Sequence, residues 1–117
     1  MAINIFTSAG NADSFEAGQI IFKEGDPGET MYAVTDGRVD IIVAGHVVET
    51  VEEGGIIGEM ALIDSGPRSA TAVAAGAAKL VTVDRNQFTF LVQEHPTFAL
   101  QVMKIMAERL RRADASA

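Results

Sequence analysis

The sequence predicts a mainly β domain, a small barrel of short strands followed by helices, and three observations carry that prediction. Glycines recur through the first two thirds of the chain, at Gly18, Gly25, Gly28, Gly37, Gly45, Gly54, Gly55, Gly66 and Gly76. The stretches between them are short and rich in β-branched and apolar residues. After Asp84 the apolar positions change to helical spacing. Short strands with a turn signal about every 8–12 residues are the pattern of an all-β barrel or sandwich. The expected layout is one domain across residues 1–117, with strands over roughly 13–84 and helices over roughly 85–113.

Taken in order, the first strand begins near Asp13 and Gln19-Ile20-Ile21-Phe22 reads as the second. Gly25-Asp26-Pro27-Gly28 is a turn, because Pro presets one dihedral and Gly permits positive φ. Further strands are read at Met31-Tyr32-Ala33-Val34, at Val39-Asp40-Ile41-Ile42-Val43, and at residues 47–51, 69–73 and 80–83, with Arg68 opening the one at 69–73. Alternation is clearest where Val39, Ile41 and Val43 face one way and Arg38 and Asp40 the other. Asp84 with Gln87 three residues later has the form of a capping box, and Phe88, Leu91 and Val92 continue at helical spacing. His95-Pro96 interrupts, Pro being well tolerated at the first position of a new helix. Phe98, Val102, Ile105, Met106 and Leu110 then form an apolar stripe, read as core packing with helix-mediated homodimerisation as its alternative use. Met103 and Met106 are read as packing residues.

Composition narrows the function classes. Apolar residues make up 48% and charged residues 21% of 117 residues, a globular balance with room for one modest core. Without cysteine there is neither a disulfide framework nor a thiolate metal site. A net charge of −7 argues against a nucleic-acid partner, and Lys104, Arg109, Arg111 and Arg112 read instead as the cationic end of a helix. No signal-like apolar run follows Met1-Ala2-Ile3-Asn4, and no segment approaches the roughly 20 apolar residues of a membrane span, so the expectation is a soluble cytoplasmic protein with no membrane partner. His46 and His95 read as separate surface-loop residues that do not make a metal set, and neither lies near a candidate nucleophile in sequence. The expectation is a binding domain that is not an enzyme and carries no metal or cofactor.

The informative stretch is Ile56-Ile57-Gly58-Glu59-Met60-Ala61-Leu62-Ile63-Asp64-Ser65-Gly66-Pro67-Arg68-Ser69-Ala70-Thr71-Ala72. Gly58-Glu59-Met60-Ala61-Leu62 suits one helical turn entered through a glycine, whose first N–H groups lack intrahelical partners and point at any anion placed there. Gly58 leaves room for close approach. Arg68 offers paired donors on a fixed positive charge, suited to a phosphate, and Ser69 adds a hydroxyl and a backbone donor. Ala61, Ala70 and Ala72 are small and leave space. Glu59 would repel a phosphate but would accept from a sugar hydroxyl, and a ligand with both groups is a nucleotide. Taken singly, Glu59 and Arg68 also fit a surface ion pair.

The order and spacing of these residues resemble the phosphate-binding cassette of the cyclic nucleotide-binding domain family. Phe22-Lys23-Glu24-Gly25-Asp26-Pro27-Gly28-Glu29-Thr30-Met31-Tyr32 resembles the family's early turn, and Asp36-Gly37-Arg38-Val39 its next one. The resemblance implies an eight-stranded β-roll of jelly-roll or cupin-like form, with a short cassette helix and C-terminal helices. It implies that Gly58, Glu59, Met60, Ala61, Arg68 and Ser69 bind the cyclic phosphate and ribose, Glu59 accepting from the 2′-hydroxyl and Arg68 pairing with the phosphate. Val48, Ile57, Ala70 and Arg109 would line the pocket. Ser69, where cGMP-selective members often have Thr, points to cAMP with cGMP as the alternative ligand. A Thr-Ser pair that contacts adenine in receptors of the catabolite-activator type is replaced here by Ala113 and Asp114, so a base lid from residues 109–117 is expected to be weakened or absent. The implied role is a regulatory sensor acting on an unidentified protein effector, against the alternative of an interaction module with an empty pocket.

Overall fold

The computed structural model describes residues 12–64 and 66–116, with side chains as far as Ala113. Expectations placed on Met1, Ala2, Ile3, Asn4, Ser65 and the side chain of Asp114 lie outside the described residues. The described strands are β1 (Asp13–Phe15), β2 (Ile20–Phe22), β3 (Thr30–Asp36), β4 (Arg38–Val43), β5 (His46–Glu52), β6 (Ile56–Ile57), β7 (Thr71–Ala74) and β8 (Ala78–Asp84). The helices are α1 (Met60–Ile63), α2 (Arg85–Glu94) and α3 (Pro96–Ser116). The strands make two four-stranded antiparallel sheets, ordered β1-β8-β3-β6 and β2-β7-β4-β5, which is the expected mainly β roll followed by helices.

The hydrophobic pattern explains how these layers stack. Side chains alternate across a strand, so a strand apolar at successive positions is buried on both faces. In β3, Val34 joins Val39, Val51, Ile57, Ala72, Ala74, Ala78 and Leu80 inside the roll. Met31 and Ala33, on the opposite face, join Val81 and Val83 of β8 against Phe98, Val102 and Ile105 of α3. The register pairs Met31 with Val83 and Ala33 with Val81. One sheet thus seals the roll on one side and seats the last helix on the other.

Local signals place the helices. Asp84 caps α2 through the Gln87 N–H at 2.8 Å, and the Gln87 side chain accepts from the Asp84 N–H at 2.8 Å, completing the capping box. Pro96 starts α3. The apolar stripe of α3 divides: Phe98, Val102 and Ile105 are buried and Met106 packs at their edge, but Leu110 is 64% exposed. Met103, expected to pack, is 56% exposed, because it lies on the face of α3 turned away from β3 and β8.

The strands differ from the sequence reading at β5, β6 and β7. β7 starts at Thr71, and Arg68 does not open it. The Arg68 N–H donates to the Asp26 carbonyl and the Gly25 N–H donates to the Arg68 carbonyl, each at 2.8 Å, so its backbone is bound to the early turn instead of a sheet neighbour. β6 is a two-residue strand paired with β3, too short to show alternation in sequence. His46 is exposed but begins β5 instead of lying in a loop.

Phe98 is fully buried with its ring 5.4 Å from that of Phe88, joining both long helices to the sheet. Phe98→Ala is expected to lower the unfolding free energy by about 3–5 kcal/mol in a denaturant titration, against about 1 kcal/mol for the cap variant Asp84→Ala.

Candidate functional site

The site lies where β6, α1 and the loop leading into β7 meet the open side of the second sheet. After Ile57 the chain must turn sharply, and Gly58 does so at φ +72°. A side chain there would also collide with its surroundings, since an added Cβ falls 2.6 Å from Nη1 of Arg68 and 3.3 Å from the Phe22 ring. α1 follows as a single turn with Ala61 and Leu62 buried. The Ala61 N–H donates to the Gly58 carbonyl at 3.2 Å, so this expected cradle amide is engaged within the turn.

A cavity of about 310 Å³ opens here, within the usual size range of small-molecule sites. All ten residues singled out in the sequence line it: Val48, Ile57, Gly58, Glu59, Met60, Ala61, Arg68, Ser69, Ala70 and Arg109. Ile41 and Val43 complete the apolar wall, and Phe22, Glu49, Asp64, Gly66 and Pro67 complete the rim and floor. Val48 is more than half exposed at the mouth, whereas Ile57 is buried at the base. Phe22 and Glu49 were missed. The alternation through Ile41 and Val43 was the available signal for the wall, but nothing local marks a residue on a neighbouring strand as facing a cassette.

Arg68 is the unusual group. It is 8% exposed, yet no carboxylate among the described residues forms a salt bridge with it. Nη1 donates to the Gly58 carbonyl at 3.3 Å and Nη2 to the Thr30 hydroxyl at 3.4 Å, both long contacts. Nε is buried and has no partner among the described residues. The guanidinium lies over the Phe22 ring, 4.2 Å from its centroid, and Phe22 stacks in turn on Tyr32. Burial pulls its pKa below the ordinary arginine value, opposed only in part by Tyr32 and Asp26, but an arginine remains charged at neutral pH. A buried cation with a spare donor and no counter-ion is costly until an anion reaches it.

Glu59 does not pair with Arg68, which overturns the ion-pair reading of those two residues. Its carboxylate, 5% exposed, accepts from Nη1 of Arg109 through Oε1. Arg109 also grips Glu49, Nε to Oε1 at 2.9 Å and Nη2 to Oε2 at 3.2 Å, and donates to the Ile56 carbonyl at 2.6 Å. Burial alone would depress the Arg109 pKa, but its bonds to and the charges of Glu49 and Glu59 outweigh that and raise it. Arg112 reaches Glu49 Oε1 at 3.1 Å. The end of α3 is thus fastened to the cavity rim by charge pairs. No described residue donates to Glu59 Oε2, and Glu59 and Arg68 line the same cavity.

With this geometry established, the chain is placed among known proteins: residues 12–95 match the Cyclic nucleotide-binding domain, and the chain belongs to that family. It is 33% identical over 105 residues to the Cyclic AMP receptor protein of Thermus thermophilus, covering 86% of this chain and 49% of that protein. It is 34% identical over 100 residues to Lysophospholipase nte1 of Aspergillus terreus, covering 81% of this chain and 6% of the relative. The chain therefore spans only part of the length of these relatives. The crystal structure of the Thermus thermophilus Catabolite Activator Protein superposes with a TM-score of 0.80 at 32% identity, covering 91% of this chain and 52% of that one.

The Arg109 pairs predict a stability effect. Arg109→Ala leaves the buried Glu59 carboxylate unpaired and is expected to cost about 2–4 kcal/mol in denaturant unfolding, with Glu59→Gln in the same chain recovering part of the loss.

Proposed function

We propose that this domain binds cAMP and acts as a regulatory module instead of a catalyst. The observation that carries the reading is Arg68, a cavity-lining guanidinium that is buried, that no described carboxylate pairs with, and whose Nε has no partner among the described residues. A cyclic phosphate supplies the missing negative charge, and the nearby Glu59 Oε2 accepts from the ribose 2′-hydroxyl. Gly58, Met60, Ala61 and Ser69 surround the phosphate, and the purine lies along Val48, Ile57 and the wall of Ile41 and Val43. Ser69 after Arg68 and the likeness to a cyclic AMP receptor protein favour adenine over guanine.

The output runs through α3. Arg109 holds Glu59, the same carboxylate that the ribose engages, so ligand and helix share one acceptor residue. A ligand shifts a helix only through different affinities for its positions, and a shared acceptor provides such a difference. The exposed Leu100, Met103 and Leu110 of α3 offer an apolar surface to a protein effector or to a second copy of the chain. Among the described residues no helix is long and apolar enough to cross a membrane.

Calorimetric titration tests the ligand reading. Arg68→Ala is expected to weaken cAMP binding at least about 100-fold, the scale of removing one partner from a buried charge pair. Unchanged affinity would favour a vestigial pocket in an interaction module. With Ala113 and Asp114 at the lid positions, the preference for cAMP over cGMP is expected to stay below about tenfold, and a stronger one would show that another group reads the base. Saturating cAMP is expected to shift the amide resonances around Phe98, Val102, Ile105 and Arg109, and an unchanged α3 spectrum would remove the helix from the signalling route.

A further inference from the structure

The guanidinium of Arg68 is poorly held by conventional bonds. Among the described residues its two side-chain hydrogen bonds are 3.3 and 3.4 Å long, Nε has no partner, and no carboxylate pairs with it. An arginine side chain so placed would ordinarily sample several rotamers at a cost in ordering entropy on binding. What confines it is shape and an aromatic face. Gly28 and Gly58 lie against it so closely that an added Cβ at either position would strike the guanidinium. The Phe22 ring supports it from below, with Arg68 Cζ 4.2 Å from the centroid.

Phe22 is itself anchored. It ends β2 opposite Ala72 of β7, packs against the interior of the roll, and stacks on Tyr32 of β3 with centroids 6.0 Å apart and planes 26° from parallel. The ring therefore bridges the two sheets and presents its negative face to the cation. We infer that Phe22 is the positioning residue for the Arg68 guanidinium, holding it on the cavity wall in the orientation that meets a phosphate; this rests on the reading of Arg68 as the phosphate ligand. Tyr32 backs the ring, and Gly28 and Gly58 keep the space on either side open. The aromatic face attracts the cation without neutralising it, which a carboxylate would do, so the charge stays available to an incoming anion. It also pre-organises the donor fork, which lowers the ordering cost of binding.

The test uses the 117-residue chain with labelled arginine side chains, and two readouts. The first is the Arg68 Nε–H resonance, assigned by its disappearance in Arg68→Lys. It needs no ligand and reports the ring current of an aromatic neighbour. The second is the dissociation constant for cAMP. Phe22→Leu keeps an apolar side chain and removes the aromatic face, and Phe22→Tyr restores it. The Arg68 resonance is expected to move toward the position of an exposed arginine in Phe22→Leu and to stay near its wild-type position in Phe22→Tyr. Affinity for cAMP is expected to fall about 5- to 20-fold in Phe22→Leu and to return within about twofold in Phe22→Tyr. If Phe22→Leu does not fold, Phe22→Met serves in its place. An Arg68 resonance indifferent to loss of the ring, a Phe22→Leu affinity equal to wild type, or a Phe22→Tyr affinity as weak as that of Phe22→Leu would overturn the inference. A wild-type chain that binds no cyclic nucleotide while its Arg68 resonance still responds to Phe22→Leu would instead overturn the ligand reading and uphold the ring's hold on the guanidinium.

Discussion

A buried positive charge that no described carboxylate pairs with is the constraint around which this site is arranged. Removing a guanidinium from water is expensive, and folded chains normally place a carboxylate beside it. Here the chain instead surrounds Arg68 with two glycines, a threonine hydroxyl, a carbonyl and an aromatic face. Its backbone is clamped to the Gly25-Asp26 turn by two hydrogen bonds, and that turn is closed locally by the Asp26 side chain accepting from the Lys23 N–H at 3.1 Å. The strand framework thus supplies the rigidity, and no described carboxylate supplies the compensating charge.

The second carboxylate cluster does the complementary work. Glu49 and Glu59 converge on Arg109, the described α3 residue that lines the cavity. The helix is consequently attached in two ways, by apolar packing at Phe98, Val102 and Ile105 and, one turn beyond Ile105, by the ion pairs of Arg109. The charged attachment shares Glu59 with the cavity, whereas Phe98, Val102 and Ile105 are not among its described lining residues.

Much of this was legible in the sequence because the decisive signals were local. The capping box of Asp84 and Gln87, Pro96 at a helix start, and the glycine turns each depend on a few consecutive residues, and the elements formed where those residues stand. The cassette was legible for the same reason: its glycine, carboxylate and arginine lie within one short segment. What escaped was long-range. Phe22 and Glu49 lie 46 and 60 positions from Arg68 and Arg109 respectively, the second separation being that of their hydrogen bond. Only the pairing of strands brings them together. Gly28 was visible as a turn residue, but its role as clearance for a side chain from another loop depends on tertiary packing. Leu110 and Met103 fit helical periodicity equally well on a buried or an exposed face, and the sheet decided which positions it covered.

A crystal structure of the chain saturated with cAMP tests the uncompensated charge most directly. The expected result is a phosphate oxygen within hydrogen-bonding distance of Arg68 Nε, with the guanidinium still over Phe22 and the 2′-hydroxyl donating to Glu59. A guanidinium turned away from the cavity, or a nucleotide bound with its phosphate remote from Nε, would contradict it.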